Sequence, residues 1–540
     1  MTLHSVIAHL TRHAARYAWL VIALFVLSKL NRLDYPFYWD EGWVYGPAVQ
    51  AMAEAGPSLL PGVIDEGLGR GHPLLFHFLG GLWIKVFGDS LWVIHGFALA
   101  ISAGVLAGMF YGIKALTHGL VALTSIMVLA CFKVFHVQSV FVLPEILLAA
   151  GCLASVYFFA KQQWIGLLIS GSLMLLTKES GLPILATLIG VEVLLCLNRR
   201  GVSWLNVKVM GSLIGSAIPY ALFLWWQKQT SGWYFFPEHT GYLNFDFTVM
   251  LGQIVNVGQS IFYVDDLHYV SALLLLSVVL LLRRKLPLML KGSIILQCLL
   301  FLFLFAAEQQ PIFPVITQRA VMLFYGLLGV NVLVYPLSRC SQPVSRMVVA
   351  SLFCIFNFII FASINFYSYR YLLAVFPLVM LLPVVLAHLA EVKPQHYLAA
   401  GLLLCCLFLP KLFPNDKIFD TEPGYIHAVQ ANQMMVSYVE RHVPLSAGIR
   451  TTFLGQTYLS NPLSGYLSGA PYTHWRWDGF DYLITMNGTF EEVVSQQDLV
   501  QDTAISLPGI SLGVYHRKPA ESAPPLDTIQ SVIDSATVAP

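Results

Sequence analysis

The residues best suited to chemistry lie between the first two apolar stretches. They are Trp39-Asp40-Glu41-Gly42-Trp43 and, further on, Arg70-Gly71-His72-Pro73. An acid at such a place can take a proton from an incoming hydroxyl as general base. It can equally cap the short amphipathic helix expected over Val44 to Ala55. Arg70 and His72 precede an aromatic-rich helix, Leu74 to Lys85, that Pro73 is suited to open; a cation and an imidazole at a helix start make an anion cradle. For His72 alone, a satisfied loop histidine is the alternative. Pro144-Glu145 opens another apolar run, where an acid is favourable whatever its role. Thr177-Lys178-Glu179-Ser180 sets a charged pair between two very apolar segments, as a structural ion pair or as functional groups. Asp265-Asp266 with His268, and Tyr369-Arg370-Tyr371 with Pro377, complete the set.

These groups need a scaffold, and the composition says which kind. The 540-residue chain is 57% hydrophobic and 11% charged, with a mean hydropathy of +0.70. Soluble chains carry about 25% charged residues. Apolar runs of bilayer-spanning length recur along the first three quarters, so the chain reads as a polytopic α-helical membrane protein. A net charge of +1 without a basic block gives no sign of a nucleic-acid partner. The eight cysteines lie in or beside apolar runs, none after Cys406, and read as small buried residues. The first apolar run lacks a small-residue cleavage site and is expected to remain as an anchor.

Arg12, His13 and Arg16 precede that first span and place the N-terminus in the cytoplasm. The loop at 34–90 then faces outward. Spans follow near 91–113, 119–135, 145–160, 163–177, 181–197, 209–226, 267–282, 292–307, 319–337, 347–364, 371–390 and 397–413, for about thirteen helices in all. Charges not used in the assignment agree with it. Lys114, Lys161, Lys208, the Arg283-Arg284-Lys285 run, Arg346 and Lys393 fall on cytoplasmic turns, whereas Asp65, Glu145, Glu238, Asp265 and Glu308 fall outside. The basic exceptions on the outer side are Arg70, Lys85, Lys178, Arg319 and Arg370. Each could pair with a nearby acid; five facing one side favour a shared anionic ligand.

Residues 1–413 thus form the membrane domain. Residues 414–520 have soluble texture, with a helix over Ile426–Arg441 and strands at 448–454, 481–485 and 512–516, giving a small α/β domain on the outer side. The tail at 521–540 is rich in Ala, Pro, Ser and Thr and is expected to be disordered. The Tyr472-Thr-His-Trp-Arg-Trp-Asp478 stretch reads as core packing or as a glycan-facing patch.

The residues together carry a resemblance. Asp40-Glu41, His72-Pro73 with the helix ending Trp83-Ile84-Lys85-Val86-Phe87-Gly88, Pro144-Glu145, Lys178-Glu179-Ser180-Gly181-Leu182 and Tyr369-Arg370-Tyr371 with Pro377 resemble the C-type (GT-C) membrane glycosyltransferases. The resemblance is to the branch with protein O-mannosyltransferases, the lipid A aminoarabinose transferase and related bacterial lipopolysaccharide sugar transferases. It runs through the membrane part. Trp43 stands where the aminoarabinose branch has an arginine, His72 where it has a lysine, and Glu145 where many relatives have aspartate.

The resemblance implies an inner-membrane enzyme with a periplasmic C-terminal domain. Such an enzyme moves a sugar from a polyprenyl-phosphate donor to a hydroxyl on a glycan, lipid or protein, inverting the anomeric carbon. Asp40 would be the base, supported by Glu41. Arg70, His72, Lys178 and Arg370 would meet the donor phosphate, and Trp43, Glu145 and Tyr369 the sugar or acceptor. No cofactor is required; a magnesium or manganese ion, if used, would fall to Asp40 and Glu145. The competing readings are a polymerase or ligase of lipid-linked glycans, and a transporter or flippase, which would need ionisable groups near mid-membrane and broken, repeat-related helices.

Overall fold

The long apolar runs fold as helices without a marked polar face, the form that satisfies every backbone hydrogen bond within the segment. The structure, a computed structural model, describes residues 3–198, 203–282, 342–365, 367–496 and 498–518, together with 292–293, 295–300, 302–303, 320, 323 and 326–327. Most of the expected span 319–337, part of 292–307, Arg283-Arg284-Lys285, Glu308, Arg319 and the tail at 521–540 lie outside the described residues.

Among the described residues, six helices are long and apolar enough to cross a bilayer: Ala14–Arg32, Leu91–Leu116, Glu179–Leu197, Trp204–Ser231, Pro343–Ser363 and Pro394–Leu412. A seventh span is counted if Phe247–Phe262 and Leu267–Leu281, bent by 84° against each other, act as one. The expected count of about thirteen is therefore not reached by length among the described helices. Gly119–Cys131, Trp164–Thr177 and Phe376–Leu389 are shorter; at 1.5 Å per residue each covers only about 20 Å. The breaks have local causes. Phe132 turns extended after the first, and Lys178 turns extended after the second. Phe247–Phe262, where the sequence suggested a loop, starts on Asp246, whose carboxylate accepts from the Thr248 and Val249 N–H groups at 2.8 and 3.0 Å.

The segment at 34–90 is itself structured. A π-helical turn, Glu41–Tyr45, runs into the helix Gly46–Ala55, which packs on Leu75–Phe87. Two glycines set that approach: a Cβ on Gly80 would stand 2.6 Å from Val49 Cγ1, and one on Gly81 2.9 Å from Met52 Cγ. Phe37, Val49, Phe76, Ile84, Phe97 and Val142 form the apolar core beneath. The loop is thus anchored to the helices Leu91–Leu116 and Glu145–Lys161, so its polar residues are held by packed helices.

The chain divides into two compact units. One holds Met1–Pro414 and Phe419–Pro423; the other holds Asn415–Ile418 and the chain from Gly424 on. The second unit has a four-stranded sheet of β1 (Ile449–Arg450), β2 (Tyr482–Met486), β3 (Leu499–Leu507) and β4 (Ile510–Arg517). Its order is β1-β2-β4-β3, with β1 and β2 parallel and the other pairs antiparallel. The helix Tyr425–His442 lies against β3 and β4. The expected strand at 448–454 is cut to two residues because Thr452 caps a new helix, Phe453–Ser460, accepting from the Gly455 N–H at 3.2 Å. Tyr472 is buried and its hydroxyl donates to the Val439 and Val443 carbonyls, whereas Trp477 is exposed beside Arg450.

Candidate active site

The loop between the first two spans, the turn before Glu179–Leu197 and the turn before Phe376–Leu389 surround one cavity of about 410 Å³. Asp40, Trp43, Tyr45, Arg70, His72, Lys178 and Arg370 all line it. Residues far apart in the chain are brought together here.

Asp40 stands at the N-cap position of the π-helical turn but makes no capping hydrogen bond. Its Oδ1 instead accepts from the Trp43 indole N–H at 2.9 Å, and its Oδ2 meets the Arg370 guanidinium. Capping is thus not what holds this acid. Trp39, at φ 55°, bends the chain just before the turn, and successive residues of a helical turn project about 100° apart, so the two acids face different ways. Glu41 points inward: it is 2% exposed, accepts from the Tyr38 and Val142 N–H groups at 3.2 and 2.7 Å, and lies 3.0 Å from His95 Nε2. It does not line the cavity. Its place is that of a pin joining the loop to two spans.

Arg370 sits on the 3₁₀ turn Tyr369–Ala374 and is 3% exposed. It donates to Asp420 Oδ2 at 2.5 Å and to Asp40, and its Nε is 3.8 Å from Glu145 Oε1. Lys178 donates to Glu145 Oε1 at 2.7 Å and stands over the Tyr371 ring at 4.5 Å. Three carboxylates are therefore shared between two buried cations. Burial works against the charge on Lys178, but Glu145 outweighs it and holds the ammonium above the ordinary lysine range. Burial pushes the Tyr45 phenol up, so it stays a neutral hydroxyl.

Arg70, in the left-handed region at φ 45°, donates to Glu238 Oε2 at 2.9 Å. It lies over the Trp43 and Phe236 rings at 4.8 and 5.3 Å. Gly71, at φ 69°, is required next to it, since a Cβ there would stand 2.6 Å from the Trp233 ring. His72 is buried; its Nδ1 is 2.9 Å from Glu179 Oε2, and its ring centre is 4.9 Å from that of His239. Burial, reinforced by His72, pushes the His239 imidazole down to about 4, so it is neutral near pH 7.

Lys178 and Glu179, neighbours in sequence, do not pair with each other; each reaches a different partner. Glu145 lies behind Lys178 and Arg370, and Tyr369 packs on Phe376, so neither lines the cavity. Lys85 is exposed on its helix and away from the cavity. Glu179, from the expected charged pair, also lines the cavity, and three residues beyond the expected set belong to the site: Glu238, His239 and Asp420. Asp420 falls where the sequence suggested that the soluble domain had begun, yet Phe419–Pro423 belongs to the membrane unit. Its signal was an acid-rich Asp420-Thr-Glu-Pro423 just past the last apolar run. Glu422 makes a second such contact, with Lys133, which also holds Asp265 at 2.7 Å.

The acids expected to hold a metal, Asp40 and Glu145, are engaged with Arg370 and Lys178. Among the described residues, the cluster with metal-ligating geometry is His72, Glu179 and His239. The described cysteines are free thiols, none of them in this site.

No protein-family model and no curated protein matches the chain. Solved structures similar to it include ArnT from Cupriavidus metallidurans bound to undecaprenyl phosphate, at 12% identity over 93% of this chain and 99% of that one, with a TM-score of 0.47. The apo state of ArnT matches at 11% identity over 94% and 100%, with a TM-score of 0.49. The arabinofuranosyltransferase AftD from mycobacteria matches at 12% identity over 94% of this chain and 40% of that one, with a TM-score of 0.40.

Proposed function

We propose that this chain is a membrane glycosyltransferase that moves a sugar from a polyprenyl-phosphate donor to an acceptor hydroxyl on a cell-envelope glycan, lipid or protein. The observation that carries this reading is the cavity itself. A positioned carboxylate, Asp40, lines it together with Arg70, His72 and Lys178. A phosphate leaves readily when fixed cations meet its developing charge, so one base and a pair of cations suffice.

In this scheme Asp40 accepts the acceptor's hydroxyl proton while its oxygen attacks the anomeric carbon. The bond from that carbon to the phosphate oxygen breaks on the opposite face, giving inversion, and the lipid phosphate leaves as an anion against Arg70 and Lys178. Arg370 fixes the orientation of Asp40, and Trp43 links the acid to a cation, donating to Asp40 and stacking on Arg70. Glu41 and Glu145 act as positioning residues, the first through the backbone of Tyr38 and Val142, the second through Lys178. The prenyl chain lies along the apolar helices within the bilayer of the inner membrane, with the cavity on the periplasmic side.

The test is transfer by the purified full-length protein from a panel of polyprenyl-phosphate sugars. Mass spectrometry of envelope glycans with and without the gene identifies the product. Asp40→Asn should bind donor and lose transfer; full activity in that variant would overturn the base assignment.

A further inference from the structure

We propose that His72, Glu179 and His239 form a binding site for a divalent transition-metal ion of the zinc class, open towards the cavity. Two imidazoles and one carboxylate are a donor set suited to borderline ions such as Zn²⁺ and Co²⁺, whereas Mg²⁺ prefers oxygen ligands and its own waters. One ligand atom from each residue lies within 4.8 Å of the others, and His72 Nδ1 and Glu179 Oε2 are already 2.9 Å apart. Ligands at about 2.1 Å around a tetrahedral ion stand about 3.4 Å from one another, so closing the site asks for side-chain shifts on the order of 1 Å.

The three residues come from separate elements: the turn before Leu75–Phe87, the start of Glu179–Leu197, and the short helix Pro237–Gly241. All three line the cavity. Two cations stand nearby, each with a carboxylate partner: Arg70 donates to Glu238 at 2.9 Å, and Lys178 to Glu145 at 2.7 Å. Arg70 also donates to His239 Nε2 at the longer distance of 3.4 Å, a contact that an ion on that nitrogen would replace. Three protein ligands leave a tetrahedral ion one position facing the cavity, which a water or a phosphate oxygen can fill. Binding of the ion stands on these side chains alone; that it meets the donor phosphate rests on the transferase reading above.

The experiment uses the full-length protein in detergent, stripped with a chelator and titrated with Co²⁺, with Zn²⁺ as competitor. The expected result is one equivalent per chain, a tetrahedral cobalt absorption band, displacement by Zn²⁺ and none by Mg²⁺. Glu179→Gln and His239→Gln should each weaken binding by more than about tenfold, the lower range for even an outer-shell partner. Asp40→Asn should bind cobalt as the parent does, whatever its effect on transfer. Absence of stoichiometric cobalt binding by the parent, or parent-level binding by both ligand variants, would overturn the site; if the variants do not fold, the parent's stoichiometry and spectrum decide. A parent that transfers sugar but binds no cobalt removes the site and keeps the transferase reading; cobalt binding without transfer from any donor does the reverse. Addition of inorganic phosphate should shift the cobalt spectrum, and an unchanged spectrum overturns the phosphate role.

Discussion

Two arginines in this chain are buried against carboxylates, and they differ in what surrounds them. Arg346, on Pro343–Ser363, is fully buried against Glu192 at 2.7 Å; Asn206 donates to the other Glu192 oxygen at 2.6 Å, and Phe159 covers the guanidinium at 4.6 Å. One cation meets one anion, and neither lines the cavity that contains Asp40. Arg370 faces Asp40, Asp420 and Glu145, with Lys178 as the second cation, and it opens on that cavity. A closed one-to-one pair has no charge left for a ligand. An open network with more acids than cations has a carboxylate able to take up a proton. Burial of charge inside a membrane protein therefore does not by itself mark a functional group; imbalance beside a cavity does.

Loss of the general base should break the open cluster's activity most. Asp40→Asn is expected to lower transfer by about 10²–10⁴-fold while the protein still binds donor, measured as turnover against donor affinity. Equal losses of both would move Asp40 from base to ligand. The closed pair should respond in stability instead. Glu192→Leu alone should cost about 3–5 kcal/mol by stranding Arg346, and adding Arg346→Met should restore most of it. Thermal unfolding of the detergent-solubilised protein reads the effect, and the double variant should keep its turnover. A double variant that is stable but inactive would erase the distinction between the two clusters.

Lys178→Met tests the cations that meet the phosphate. Loss of a hydrogen bond to a charged group, worth about 1.5–3 kcal/mol, should weaken donor binding by about 10–150-fold. An unchanged affinity would place the phosphate elsewhere. The smallest effect is expected at Trp43, between Asp40 and Arg70. Trp43→Phe keeps an aromatic face for Arg70 but removes the indole N–H from Asp40. One neutral donor is worth about 1 kcal/mol, so kcat should fall by about fivefold with donor affinity unchanged.

Much of this architecture was legible in the residue order. Lipid offers no hydrogen bonds, so long apolar runs had to become helices, and the spans near 91–113, 181–197 and 347–364 correspond to observed helices. Span lengths were less legible: the expected 119–135 stops at Cys131 because Phe132 turns extended within a mostly apolar stretch, whereas the end at Thr177 falls at the charged pair that marked it. Strand β3 was missed since Gln501, Asp502, Thr503 and Ser506 break any regular apolar alternation along Leu499–Leu507, and the strand draws its place from pairing with β4. Asp40, Arg70, His72, Lys178 and Arg370 stood out because charged groups are rare in a chain that is 11% charged.

What the sequence alone determined was the inventory: a helical membrane protein, and a short set of ionisable residues that its composition could not otherwise explain. The tertiary structure decided which of them are spent on one another. Arg370 reaches Asp40 across 330 positions, His72 reaches Glu179 across 107, and Glu41, adjacent to Asp40, turns the opposite way into the core. The reason is physical. In a low-dielectric interior a charge's role is set by the partners within a few ångströms and by whether water can reach it, and neither distance nor exposure is written in the order of the residues.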